Sequence, residues 1–223
     1  MAGLFNSYVY EPLLSVLLFL YNSVAFSDLG VTIILFTILI RVVLFPLFYK
    51  GAKDQAIMQK LQPHIKKLQL DHKDDKERQA KELLELYKKY SFNPFFGIFS
   101  VLIQLPIFFA LFKLFGTELG NIGIASTMMF GLIDLGGKGI ILPIIAAVLQ
   151  YIQGKLSLPK TTTNEKDNTF ASVAKTMVYV GPILTILIFS NLPSALSIYW
   201  IVSSVFAIGQ QIYINKKLPK LED

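Results

Sequence analysis

The sequence predicts an all-α integral membrane protein, and three observations carry that assignment. Hydrophobic residues make up 53% of the 223-residue chain and charged residues only 16%, a balance too apolar for a water-soluble domain of this size. Several near-continuous apolar stretches approach the ~20 residues a helix needs to cross about 30 Å of hydrocarbon. Basic residues gather in a few polar connections, as expected of a multi-pass chain whose Lys and Arg are held on the cytoplasmic side. The sequence holds no cysteine, which removes disulfides, thiolate metal sites and thiol nucleophiles together.

Residues 1–28 come first. Their opening, MAGLFNSYVYE, holds neither Lys nor Arg, so the basic start of a secretory signal and the Arg-rich character of a transit peptide are both missing. A bacterial cytoplasmic membrane fits best. The stretch 8–26 is apolar but interrupted by Glu11, Pro12, Ser15 and Asn22. It is expected to lie as an interfacial helix on the extracytoplasmic face, with a sixth span as the alternative.

Five spans are expected at 29–48, 94–115, 139–156, 176–190 and 195–214. The third and fourth are short, which local thinning of the bilayer can accommodate. Apart from Arg41, Lys113 and Lys138, every basic residue lies at 50–89, at 155–175 or in the tail after Ile214. That distribution places the N-terminus outside and the C-terminus inside. The chain then divides into the N-terminal interfacial helix (1–28), a first transmembrane unit (29–50), a cytoplasmic helical unit (51–92) and the remaining four spans with a short tail (93–223).

Residues 51–92 are charged yet periodic. Ile57, Leu61, Ile65 and Leu68 recur at helical spacing, and Ala80, Leu83 or Leu84, Tyr87 and Tyr90 do so again. Two amphipathic helices facing each other make an antiparallel cytoplasmic hairpin with 71–75 as its tip. Such a pair either braces the helix ends or docks substrate, and pattern alone does not separate the two.

Arg41 is the most informative residue, because a cation well inside an apolar span costs about 2.5–3.5 kcal/mol on insertion scales. Snorkelling to the cytoplasmic edge is the plain alternative. It runs against the lean of helical side chains toward their own N-terminus, here the outer side. Thr37 lies one turn earlier on the same face, and Pro46 leaves the Val42 carbonyl without its usual donor. Ser100 with Gln104, Gln150 with Gln153, and Tyr199 with Ser203 and Gln210 each mark one helical face. Taken singly, each set also reads as interhelical glue. Arg41, Gln150, Gln153, Gln210 and Gln211 fall in the cytoplasmic half, while 33–36, 107–112 and 140–145 are apolar toward the outside. The pattern describes a pocket open to the cytoplasm and closed outward, not a pore.

At these residues the chain resembles the YidC/Oxa/Alb family of membrane protein insertases. The resemblance rests on ILIRVVLFPL around Arg41, MQKLQPHIKKLQ and DDKERQAKELLELY in the charged region, NPFFGIFSVLIQLPIFFALF in the second span and NLPSALSIYWIVSSVFAIGQQ in the fifth. It covers roughly 9–218, with the pieces in the family's order. It implies a five-helix core with Arg41 in a hydrophilic groove open to cytoplasm and lipid. Thr37, Tyr199 and Trp200 match positions around that groove, and Gln104 and Gln150 transfer less directly. The implied partners are nascent membrane proteins and the lipid bilayer, with the ribosome and the Sec translocon as further candidates and no direct nucleic-acid contact. No cofactor and no metal are expected. Two departures are expected to matter: the large extracytoplasmic domain of some members is missing, and the tail 215–223 is short and mixed in charge, unlike the long basic tails that dock ribosomes.

An intramembrane enzyme is disfavoured, because His64 and His72 are both in the charged region and no span holds an acid or a His as base. An anion transporter would use Arg41 as its binding charge, but no internal repeat is visible. A membrane assembly scaffold would use the apolar helix faces without the charge.

Overall fold

Helices dominate the computed structural model, which describes residues 2–158 and 169–217. Among them, α1 spans Gly3–Ser23 and contains a π turn at Asn6–Tyr10. Helices α2 (Leu29–Val43), α3 (Phe45–Asp71) and α4 (Lys76–Lys89) follow. Helix α5 (Pro94–Lys113) runs on into a second π turn, Leu114–Glu118. Helices α6 (Ile141–Ser157), α7 (Thr169–Phe189) and α8 (Ser194–Lys217) complete the order. A small antiparallel ribbon, β1 (Met128–Met129) with β2 (Ile133–Asp134), sits between α5 and α6 and pairs Met129 with Ile133. The apolar pattern does not announce this ribbon. The expected polar connection at 161–168 and the end of the tail lie outside the described residues.

The first expected span does not run straight to Phe48. Helix α2 ends at Val43, and α3 departs at 71° across Leu44. Pro46 explains the break: it lacks an amide to donate to Val42, and its ring crowds that carbonyl. Leu44 takes up the turn at φ −90°, ψ 10°, and its carbonyl accepts from the Leu47 and Phe48 amides. Helix α1 is longer than its interruptions suggest. Pro12 follows the π turn at the first positions of the α stretch, where a missing N–H costs little. The Ser15 hydroxyl returns to the Glu11 carbonyl at 2.8 Å.

Among the described residues, α1 and α8 are each long and apolar enough to cross a membrane. The bent α2–α3 pair passes the same criterion taken together, and α6 and 175–189 are shorter apolar helices.

The main core joins α1, α2, α5 and α8 through Leu17, Tyr21, Ile33, Phe36, Leu111 and Leu196. All the α2 members precede Arg41 and all the α8 members precede Ser203, so the apolar plug occupies the helix ends remote from α3 and α4. Both ends of α1 meet the chain that follows α5. Near one end, Tyr10 donates to Glu118, and Lys113 lies 4.0 Å from the Tyr10 ring and 3.3 Å from Asn6 Oδ1. Near the other, the Tyr21 hydroxyl accepts from the Ser126 amide at 3.0 Å. The start of α8 is fastened to the same region, its Ser194 and Ala195 amides donating to the Gly137 and Leu135 carbonyls at 2.9 Å each.

Helices α3 and α4 form a second, separate cluster. Ile57, Leu61 and Ile65 are buried against Leu83, Leu86, Tyr87 and Tyr90. The periodicity leaves Leu83 and Leu84 open, and the structure chooses Leu83, leaving Leu84 exposed. Asp75 caps α4 by accepting the Arg78 amide at 2.9 Å. Glu82 receives both His72 (2.8 Å) and Arg78 (2.9 Å), and those contacts hold its carboxyl below the usual range, the Arg78 bond most of all.

Candidate functional site

The predicted site residues separate into a cluster of four, one residue in the wall behind it and two outliers. Arg41 occupies the last turn of α2, partly buried, with its guanidinium carbon 4.5 Å from the centre of the Phe48 ring beyond the Leu44 break. That distance suits a cation–π contact. The residue is also close enough to Tyr199 for direct electrostatic interaction. Tyr199 is 1% exposed, on the face of α8 turned to α2 and α5, and its hydroxyl accepts a hydrogen bond from the Gln104 side-chain amide on α5. Ser203, one turn further along α8, lies near the same hydroxyl, but its buried Oγ makes no hydrogen bond of ordinary geometry. Three helices thus contribute Arg41, Gln104, Tyr199 and Ser203 to one boundary, where the apolar plug gives way to polar side chains.

Thr37 belongs to the wall behind this cluster. It is fully buried, and its hydroxyl donates to the Ile33 carbonyl at 2.6 Å, a back-bond common to Thr in helices. Trp200 turns away from the polar set into an aromatic group, 5.3 Å from Phe189 and 6.3 Å from Phe108 between ring centres. Gln150 stands apart. Its carbonyl oxygen accepts from Thr185 on α7, and its amide nitrogen comes within 3.2 Å of where a side chain on Gly181 would begin. The interhelical-glue reading describes Gln150 well: it ties α6 to α7.

Ser197, Ser204, Gln210 and Gln211 are also buried on α8. The spacing Ser197, Ser204, Gln211 and the spacing Ser203, Gln210 are both heptad steps, so two polar lines run along the inward side of the helix. Among the described residues, Ser197 Oγ, Ser203 Oγ and Gln210 Nε2 have no hydrogen-bond partner. Ser197 and Ser204 were legible from this spacing but stand out only once burial is known. Asp54, near the root of α3, was not singled out by the pattern. It is 4% exposed, and its Oδ2 has no hydrogen-bond partner among the described residues. Burial pushes its carboxyl up, and Lys50 and Lys53 pull against that shift. Among the described residues no group of His, Cys, Asp and Glu is arranged to hold a metal ion. The cluster therefore offers one cation, hydroxyls and amides, which is chemistry for receiving polar groups.

The comparisons with known proteins agree on what the chain is similar to. Residues 19–221 match the family model described as 60Kd inner membrane protein. A membrane protein insertase YidC of Syntrophus aciditrophicus is 39% identical over 210 residues, covering 92% of this chain and 36% of the relative. One from Geobacter sulfurreducens is 34% identical and is matched over 38% of its length. The chain thus spans little more than a third of those relatives. The Fusobacterium nucleatum insertase is 35% identical and is matched over 98% of its length, with 95% of this chain covered. Among solved structures, an active YidC insertase with its first transmembrane domain resolved superposes with a TM-score of 0.63. It is 25% identical, over 92% of this chain and 45% of that one. The chain belongs to the 60Kd inner membrane protein family, that of the YidC insertases.

Proposed function

We propose that the chain inserts nascent membrane proteins into a bacterial cytoplasmic membrane, receiving a polar segment of the client at the boundary formed by Arg41, Gln104, Tyr199 and Ser203. The observation that carries this reading is the position of that boundary. On one side, Phe36, Leu111 and Leu196 close the helix ends with apolar packing. On the other, α8 buries Ser203 and Gln210 with unpartnered polar atoms, groups whose burial is tolerable where water or a polar ligand reaches them. A client tail brought to this boundary meets donors and a fixed positive charge part-way across the bilayer. The cost of dehydrating its acidic groups falls, while its apolar segment passes along lipid-facing helices.

In this reading 29–50, α5, α6, α7 and α8 form five spans, α3 and α4 make a cytoplasmic hairpin, and the N-terminus is outside with the C-terminus inside. Helix α1 lies flat on the outer face. Its contacts support that placement: Asn6 and Tyr21, about 22 Å apart along a helix, both touch the stretch 113–126 that starts at the last residue of α5. Client polypeptides and lipid are its partners, and no covalent step is involved. The named activity of the relatives supports the reading.

The test is reconstitution into liposomes with a single-spanning client carrying an acidic N-terminal tail. Insertion above that into empty liposomes is expected, and equal insertion overturns the proposal. Arg41→Ala is expected to depress handling of the acidic-tailed client several-fold while leaving a strongly hydrophobic client nearly unchanged. An equal effect on both removes the role assigned to the charge.

A further inference from the structure

The most exposed aromatic side chain in the described structure, Phe26 at 98%, sits where the backbone least favours it. Phe26 and Ser27 both take positive φ, 51° and 59°, a region open to glycine but strained for a bulky side chain. A second turn repeats the arrangement. Phe130 has φ 51° ahead of Gly131 at 68°, and Phe130 and Leu132 are 64% and 83% exposed. These two turns are neighbours because one side chain holds them together. Asp28 caps α2, its Oδ1 accepting from the Val31 amide at 2.9 Å, while its Oδ2 accepts from the Phe130 amide. Met129 then lies over Gly30 so closely that a Cβ there would fall 2.2 Å from its side chain.

The ribbon also carries hydrogen bonds of its own. The Leu132 amide donates to Met129 O at 3.0 Å, and Asp134 Oδ1 accepts from Thr127 Oγ1 at 2.6 Å and from the Gly136 amide at 2.9 Å. Those contacts hold the Asp134 carboxyl below its usual range, the Thr127 bond first. A locked, hydrogen-bonded turn that spends strain to present Phe and Leu outward gains nothing from water. It stands at the start of α2, the end remote from Arg41 and the charged α3–α4 pair. It is continuous with α1, which itself exposes Leu4, Tyr8 and Phe19.

We infer that these paired turns are a lipid foot: Phe26, Phe130 and Leu132 enter the boundary between headgroups and acyl chains of the leaflet opposite the α3–α4 pair. Lipid is the occupant because the turn adjoins an apolar helix at its membrane-crossing end. Several of its backbone amides are already bonded, so the side chains reach acyl chains while the backbone stays at headgroup depth, where non-helical structure is tolerated. The foot fixes the height at which α2, and with it Arg41, sits in the bilayer. This assignment is independent of insertion activity.

The chain has no cysteine, so Phe130→Cys and Leu132→Cys can each carry a single environment-sensitive fluorophore, with Glu77→Cys on α4 as the aqueous reference. The proteins are placed in nanodiscs of phosphatidylcholine and phosphatidylglycerol and challenged with aqueous iodide or with nitroxide lipids labelled at shallow or deep acyl positions. Shallow nitroxide is expected to quench both turn positions several-fold more than it quenches position 77, with iodide showing the reverse order. Iodide access at 130 and 132 equal to that at 77 overturns the foot. So does stronger quenching from the deep nitroxide than from the shallow one, which would bury the turn in hydrocarbon.

Discussion

Tyr199 shows how far a single residue can be read before the fold is known. Its helical spacing to Ser203 is visible in the sequence, and so is the presence of Gln104 in a facing span. The bond between Gln104 and Tyr199 is not, because 95 residues separate them and only the register of α5 against α8 makes them meet. Removing the hydroxyl leaves the Gln104 amide unpaired in a buried place, which costs about 1–3 kcal/mol. Tyr199→Phe is therefore expected to lower the unfolding midpoint in detergent and to weaken insertion without blocking expression. Gln150 teaches the opposite lesson. Its polarity in a span left both the Arg41 pocket and interhelical bonding open, and its Oε1 accepts from Thr185, a residue whose type gave no signal. A double-mutant cycle of Gln150→Leu and Thr185→Val should return a coupling of about 0.6 kcal/mol, the scale of interhelical bonds in membranes. Each single variant should spare the acidic-tail preference proposed for Arg41.

At the scale of elements, helix existence was legible from hydropathy, and most ends fall within a few residues of expectation. Two of the shifts have local causes, while α7 begins seven residues before its expected start. Pro46 splits the first segment at Leu44, and back-bonding lets α1 run through its polar interruptions. The ribbon after α5 was illegible because strands of two residues carry no period to detect. Helix α3 carries a liability at Asp54. Burial raises its carboxyl despite Lys50 and Lys53, so the folded chain keeps that proton to higher pH than the unfolded chain does. Stability from this group is present in acid and declines as pH rises from the ordinary carboxylate range through the raised value. Asp54→Asn is expected to remove that decline and to raise stability near neutrality. Denaturant titrations from about pH 4 to about pH 8 would show it, and parallel curves for the two proteins would refute it.

At the scale of the molecule, the distribution of Lys and Arg implies an orientation that packing alone does not supply. If the N-terminus is outside, Asn191→Cys in the turn before α8 reacts with an impermeant maleimide added to intact cells, and Glu77→Cys reacts only after the membrane is opened. Reversed labelling would invert the topology and with it the direction in which the polar boundary opens. The two hydrophobic clusters divide the work. One, around Tyr21, Phe36 and Leu196, binds the helix ends on one side, and the other, around Leu61, holds α3 to α4. The elbow at Leu44 lies between them, with Arg41 on one arm and the Phe48 ring that covers it on the other. Because the cation and the ring that faces it stand on opposite arms of one bend, the angle at Leu44 sets how much of the guanidinium the ring covers.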